Sequence, residues 1–87
     1  MANKKVTSWV GLPEHDALVA TIVAAREAKG LSQRQLSAIL GEEETFIFRI
    51  EHGFRRLDLI EFMRLADALN ISSRALFDDL LQRLGRD

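Results

Sequence analysis

The chain has 87 residues, 47% of them hydrophobic and 29% charged, which is typical of one small globular domain. It contains no cysteine, which excludes disulfides, thiolate zinc sites and cysteine nucleophiles, and no apolar run approaches the ~18–20 residues of a membrane span. Its 12 basic and 13 acidic side chains leave a net charge of −1, which argues against a polycation that binds every anionic surface.

The first twelve residues lack helical periodicity, and we predict an N-terminal arm over residues 1–12 with Lys4 and Lys5 as its basic side chains. The basic start is not followed by an apolar stretch of ~7–15 residues, so we expect no signal peptide and a cytoplasmic protein. Pro13 suits the first turn of helix 1. Apolar residues then recur at three- and four-residue spacing until Gly30 ends the helix.

Helix 2 has the clearest start signal in the chain, because Ser32 and Gln35 are spaced as a capping box. Gly41 ends it, and helix 3 is predicted to follow almost at once, over about residues 43–52. Two short helices joined through a glycine turn are typical of a helix-turn-helix, whose second helix enters the major groove of DNA. This geometry requires a small residue where the helices cross, and Ser37 lies there.

Helices 4 and 5 complete the predicted fold. Asp58 caps helix 4, which Asn70 ends, and Ser72 or Ser73 opens helix 5. The apolar side chains of helix 5 recur at helical spacing: Leu76, Phe77, Leu80, Leu81 and Leu84. No strand pattern, internal repeat or linker interrupts the chain. The sequence therefore predicts an all-α, compact five-helix bundle.

Charge is distributed unevenly along this bundle. Residues 1–40 carry a net charge of +2, residues 41–56 carry −1 and residues 57–87 carry −2. We expect one helix-turn-helix domain over residues 13–84, followed by a tail over residues 85–87. A domain polarised in this way can still dock on an anionic partner through its basic side.

Several short motifs follow one another in register. They are Arg26, Gly30-Leu31-Ser32-Gln33, Gln35-Leu36-Ser37, Leu40-Gly41, Ile47, Arg49-Ile50-Glu51-His52-Gly53 and Ala66-Asp67-Ala68-Leu69-Asn70-Ile71. Together they resemble the small single-domain bacterial members of the phage-repressor-like (xenobiotic response element type) helix-turn-helix regulators, over roughly residues 13–81. The resemblance implies a lambda-repressor-like bundle with the motif in helices 2 and 3. It also implies a sequence-specific regulator of transcription that binds double-stranded DNA, a repressor acting as a homodimer on a palindromic operator.

The same resemblance implies roles for individual residues. It assigns base reading to Glu44, Thr45 and Arg49, and the outer face of helix 3 adds Phe48 as a fourth candidate. It assigns phosphate contacts to Gln33, Arg55 and Arg56, and the positive charge of Arg34 adds that residue as a fourth candidate. Arg26 and Glu51 match a partly buried, structural ion pair that ties helix 1 to helix 3. The sequence has no glycine-rich phosphate loop, nucleophile elbow or metal-spaced cluster, so we expect no catalytic residue, metal or cofactor.

The acidic run Glu42-Glu43-Glu44 departs from the family pattern, in which a small or apolar residue, a Ser or Thr cap and a Gln are usual. In the first turn of helix 3, these carboxylates would interact favourably with the helix dipole. At the groove-facing end of the motif, DNA phosphates would repel them. Glu44 has a further alternative, because a carboxylate can accept a hydrogen bond from cytosine N4.

Phe48 is the second departure, since a small polar residue is common at its position. Three interpretations are open: Phe48 packs against Phe54 or the following loop, contacts a thymine methyl group, or anchors a protein partner. Together with the acidic run, it leaves an alternative function, a helix-turn-helix domain repurposed for protein–protein interaction. Such a domain would serve as an anti-repressor or scaffold, with weak or no DNA binding.

The apolar stripe of helix 5 has two interpretations that do not involve a membrane, core packing and a dimer interface. Val6, Trp9 and Val10 of the arm are candidates to extend the interface. Dimers of this kind place two recognition helices about one DNA turn apart. A membrane-surface role is disfavoured because Asp78 and Asp79 would be repelled by anionic lipid.

Overall fold

A computed structural model describes residues 9–86 of the chain. It contains five helices: α1 (Pro13–Ala28), α2 (Gln33–Ile39), α3 (Phe46–Glu51), α4 (Leu59–Ala68) and α5 (Ser73–Arg83). This confirms the predicted all-α bundle, and no strand occurs among the described residues. Lys4, Lys5 and Val6 of the predicted arm, and Asp87 of the tail, lie outside them. None of these helices combines the length and apolarity needed to cross a bilayer.

Three of the five described helices, α2, α4 and α5, begin where a local side chain satisfies free N–H groups. Ser32 Oγ accepts from the Gln35 amide at 3.0 Å, and the Ser32 amide donates to Gln35 Oε1 at 2.8 Å, as the predicted capping box requires. Asp58 caps α4 and forms a second such box with Glu61. Ser72 is the residue that caps α5.

All five helices end in the same way. The residue after each C-cap has a positive φ: Gly30, Gly41, Gly53, Asn70 and Gly85. The next amide then bonds to the carbonyl five residues back, as Glu42 does to Ser37 at 3.0 Å in the turn between α2 and α3. Gly41 has a φ of +74°, and a Cβ there would meet no atom within 4 Å. The glycine is therefore required by the backbone conformation and not by lack of space.

The core lies between the helix-turn-helix and the flanking helices. Its larger cluster comprises Ile22, Leu36, Phe46, Ile47, Ile50, Leu65 and Leu69. A smaller cluster of Phe62, Ala66 and Leu76 shares with it the partly buried neighbours Leu18, Ala25, Leu57 and Ile71. Ile47 and Ile50 are fully buried. The inner face of α3 is thus held in the core, and its opposite face is directed outward.

The boundary predicted for the third helix was wrong. The helix begins at Phe46 and not near residue 43, and its first turn contains no acidic residue. The Phe46 amide bonds to the Glu43 carbonyl at 3.0 Å in a turn before the helix. Glu42, Glu43 and Glu44 precede the first helical residue, so they lie outside the first turn through which they were expected to stabilise the helix.

Candidate nucleic-acid interface

Ser37 joins the two helices of the motif. Its buried hydroxyl donates to the Gln33 carbonyl at 2.8 Å and accepts from the Ile47 amide at 3.0 Å. Ile47 lies in the first turn of α3, where the N-cap residue Thr45 makes no side-chain cap. Ser37 therefore satisfies, from α2, an N–H group that α3 leaves without a partner. The sequence indicated a small residue here but gave no sign of this hydrogen bond.

Arg26 and Glu51 form a two-point ion pair between α1 and α3. Arg26 Nε lies 2.8 Å from Glu51 Oε2, and Nη2 lies 3.1 Å from Oε1. Only 11% of the arginine side chain and 3% of the glutamate side chain are exposed. The hydrogen bonds that Arg26 donates to Glu51 raise the pKa of Arg26 above its usual value. The structure thus brings together the two residues that the resemblance pairs.

Gln33 adds the second helix to this network. Its Nε2 donates to Glu51 Oε1 at 2.7 Å, so the start of α2 is held on the end of α3. The amide nitrogen carries two hydrogens, and one of them is left for a phosphate oxygen. Bracing and phosphate contact are thus compatible at Gln33, and the phosphate contact stays a prediction.

The outward face of α3 is accessible. Thr45, Phe48, Arg49 and His52 are all exposed on it. The ring of Phe48 lies 4.1 Å from that of His52 and stacks on Phe54 at 6.4 Å, measured between ring centroids. Packing against Phe54 therefore occurs, yet 40% of Phe48 and 72% of Phe54 remain exposed. Contact with a thymine methyl group and contact with a protein both stay open.

Arg34, in the first turn of α2, forms an ion pair with Glu44, which lies just before α3. Arg34 Nη2 lies 2.8 Å from Glu44 Oε1, and 77% and 64% of the two side chains are exposed. The other acidic residues are arranged differently. Glu42 lies on the side of α4, around a small cavity that it shares with Phe46 and Arg64. The three carboxylates therefore do not form a single cluster at the groove-facing end.

Arg55 and Arg56 differ in their surroundings although they are neighbours. Arg55 makes a bidentate pair with Glu61 at 2.7 and 2.9 Å, and its guanidinium lies 4.7 Å from the centre of the Phe46 ring. The pair raises the pKa of Arg55 and, with the Asp58 amide, lowers that of Glu61. Arg56 is exposed and makes no ion pair with any described residue. Arg55 thus connects the loop to α4 and to Phe46, and Arg56 is the more available of the two to bind an anion.

Comparisons with known proteins agree with this geometry. A helix-turn-helix family model matches residues 22–76. An XRE-family like protein from Pseudomonas syringae pv. tomato str. DC3000 is 35% identical over 79% of this chain and 84% of that one, with a TM-score of 0.73. The restriction-modification controller protein C.AhdI from Aeromonas hydrophila is 32% identical over 76% of this chain and 100% of that one, with a TM-score of 0.68.

The wild-type restriction-modification controller protein C.Esp1396I has a TM-score of 0.77, over 84% of this chain and 96% of that one. At 22% identity this likeness shows the fold alone. A comparison with curated proteins finds no match. The resemblance seen in the sequence is confirmed: the chain belongs to the XRE-type helix-turn-helix family of DNA-binding transcription regulators.

Proposed function

We propose that this protein is a repressor that binds a palindromic operator as a homodimer. The observation that carries the proposal is the exposed outer face of α3 on a motif tied together at Ser37 and at Glu51. A recognition helix must be rigid relative to its domain, because base contacts require placement within a fraction of an ångström. Repression requires no more than occupancy of the operator, which a DNA-binding dimer supplies by itself.

The DNA contacts we propose follow from exposure and charge. Base edges would be read by the side chains at the leading end and outer face of α3: Glu44, Thr45, Phe48 and Arg49. Phosphates would be bound by Gln33, Arg34 and Arg56, and also by those N–H groups of Arg55 that its pair with Glu61 does not use. Arg49 makes no ion pair within residues 9–86, so its guanidinium is available to guanine O6 and N7.

A dimer is supported by an apolar surface formed by α4 and α5. Leu59, Met63 and Phe77 are exposed there, and Phe77 packs edge-on against Phe62 with 6.3 Å between ring centroids. Leu76, by contrast, is buried in the core. The interface we propose on α5 therefore centres on Phe77 and extends onto α4. Burying such a patch in a second copy removes apolar surface from water.

Selection from a library of random DNA duplexes tests the proposal. We expect an inverted repeat whose half-sites lie ~10 base pairs apart, because a two-fold dimer presents its helices one turn apart. A reporter gene with this operator across its promoter should then be repressed by the protein. Arg49→Ala, checked for an unchanged unfolding midpoint, should abolish the selection. Failure of the wild-type protein to enrich any sequence at low salt would contradict the proposal.

The aromatic side chains support a second candidate function, the binding of a protein partner. Phe48 and Phe54 form an exposed aromatic pair at the edge of the motif, and aromatic residues are enriched at protein interfaces. A partner that copurifies in stoichiometric amount and is lost on Phe54→Ser, with no DNA selected, would favour this function over repression.

A further inference from the structure

We infer that Glu44, positioned by Arg34, selects cytosine in each half-site of the operator. The inference rests on the proposed function. Glu44 directly precedes Thr45, the N-cap of α3, so it lies at the end of the motif that enters the groove first. Its contact with Arg34, 2.8 Å between Nη2 and Oε1, joins this end to the first turn of α2.

The pair removes the main objection to an acidic residue at this position. An isolated carboxylate directed at DNA is repelled by the phosphates, whereas one paired with a guanidinium presents no net charge. Both side chains are largely exposed, and exposed pairs contribute little to stability. The pair therefore adds little to the stability of the domain. Its position at the groove-facing end of the motif points instead to a role in binding DNA.

The atoms of the pair are arranged for reading a base. Arg34 contacts Oε1, and Glu44 Oε2 accepts no hydrogen bond from any residue between 9 and 86. A carboxylate only accepts hydrogen bonds, so it matches the N4 donor of cytosine in the major groove. The guanidinium has five N–H groups, and those not used by Glu44 remain for a phosphate oxygen. Arg34 is thus a positioning residue that also neutralises charge.

Glu44→Gln is the variant that tests the inference, with Glu43→Gln as its matched control. Both changes remove one negative charge from the same turn, and Glu43 is exposed with no side-chain ion pair in the described part of the chain. Only Glu44→Gln removes the carboxylate that is paired with Arg34. A change of affinity that is the same for all duplexes is therefore electrostatic, whereas a change of base preference in Glu44→Gln alone reports base recognition.

The measurement is selection from random duplexes, followed by the affinity of each variant for the selected operator and its single-base substitutions at fixed salt. For the wild-type protein we expect one cytosine per half-site, preferred on the order of tenfold over other bases. Glu44→Gln should change that preference to adenine, because an amide matches adenine N6 and N7. Glu43→Gln should keep cytosine while tightening binding to all duplexes.

Arg34→Ala separates positioning from simple attraction. It should weaken binding to every duplex and also reduce the cytosine preference, which loss of a phosphate contact alone would leave unchanged. If Glu44→Gln and Glu43→Gln both keep the base preference of the wild-type protein, the inference is wrong and the proposed function still stands. If the wild-type protein selects no operator, both fail.

Discussion

Glu51 joins three helices of the domain, because three N–H groups from α1 and α2 converge on its carboxylate at the end of α3. Two come from Arg26 and one from Gln33, and Arg26 also donates to the Leu31 carbonyl at 2.8 Å. A single side chain at the end of α3 thereby holds α1 and α2, and Arg26 in turn holds the loop after α1. The recognition helix is positioned by this polar contact as well as by its apolar face.

Replacing Glu51 with alanine should lower the free energy of unfolding by about 3–5 kcal/mol, since Arg26 would stay buried without a counter-charge. Urea unfolding followed by circular dichroism measures the loss. The double variant Arg26→Met, Glu51→Leu should recover part of it, because both buried charges are then absent. A loss below ~1 kcal/mol for Glu51→Ala would show that the pair is not effectively desolvated.

The Arg55–Glu61 pair predicts a pH dependence of stability. Its hydrogen bonds lower the pKa of Glu61 from its ordinary value of 4.5, so the unfolded chain binds the proton more readily than the folded one. The stabilisation is therefore complete above about pH 5 and is lost as the pH falls through the lower, folded pKa. Urea midpoints between pH 6 and pH 3 should decline less steeply in Glu61→Gln. Parallel curves for the variant and the wild-type protein would refute this.

At the scale of helices, the two halves of the motif are joined by one buried hydroxyl. Ser37 satisfies an amide in the first turn of α3, a helix of six residues whose own N-cap makes no side-chain bond. So short a helix has little stability of its own and depends on its tertiary contacts. The hydrogen bond from Ile47 to Ser37 thus stabilises the start of α3 and at the same time holds α3 in its orientation relative to α2.

Ser37→Ala should cost about 1–3 kcal/mol of unfolding free energy, because the Ile47 amide would stay buried without an acceptor. It should also weaken operator binding at a temperature where the variant is fully folded, since α3 is then less firmly held. Ser72→Ala is the matched control: it removes the α5 cap, with a stability cost of about 1 kcal/mol and no effect on DNA binding. Equal effects of both variants on binding would contradict the role given to Ser37.

For the whole molecule, the net charge of −1 says less about DNA binding than the ion pairs do, because most of the arginines that they involve are neutralised locally. Arginines are offset by neighbouring carboxylates in Arg34–Glu44, Arg55–Glu61, Arg83–Asp79 and Arg86–Glu14. The last pair joins the C-terminal end to the start of α1 and lowers the pKa of Glu14. Few unpaired cations remain near α3 among residues 9–86, so we expect weak non-specific binding to DNA.

Arg56→Ala should weaken binding to all duplexes alike and reduce the salt dependence, the slope of log affinity against log salt, by about 1. Titrations of the operator at several salt concentrations measure that slope. Arg83→Ala removes the same charge from α5 and should leave the slope unchanged. A loss confined to one base position on Arg56→Ala would indicate base reading instead of phosphate contact.

The apolar face of α4 and α5 predicts the oligomeric state. Sedimentation equilibrium should give twice the 9.9 kDa mass of the chain for the wild-type protein. Phe77→Asp places a charge in the patch and should give a monomer with weakened operator binding. Phe54→Asp makes the same change on another exposed phenylalanine and should leave the dimer intact. A wild-type monomer at micromolar concentration would rule out this interface.

Local signals in the sequence are enough to predict the number and order of the helices and most of their ends. Capping boxes and helix stops are made by residues within about five positions of one another, so their signals can be seen in a linear sequence. Ser32, Asp58 and Asn70 were predicted correctly for this reason. The start of α3 was not, because Phe46 and Ile47 are placed by the core and by Ser37, ten residues away from Ile47.

The use of the charged residues of the site depends on tertiary contacts between different segments of the chain. A helical periodicity shows which face a residue is on, but it does not show which side chain of another helix or loop lies opposite. Arg34 with Glu44, and Arg55 with Glu61 and Phe46, are contacts of this kind. They show that the charge of Glu44 is compensated by Arg34. They also show that Arg55 is held in the fold, whereas Arg56 is available to bind a phosphate. The fold brings these residues together in space, and spatial proximity sets their electrostatics.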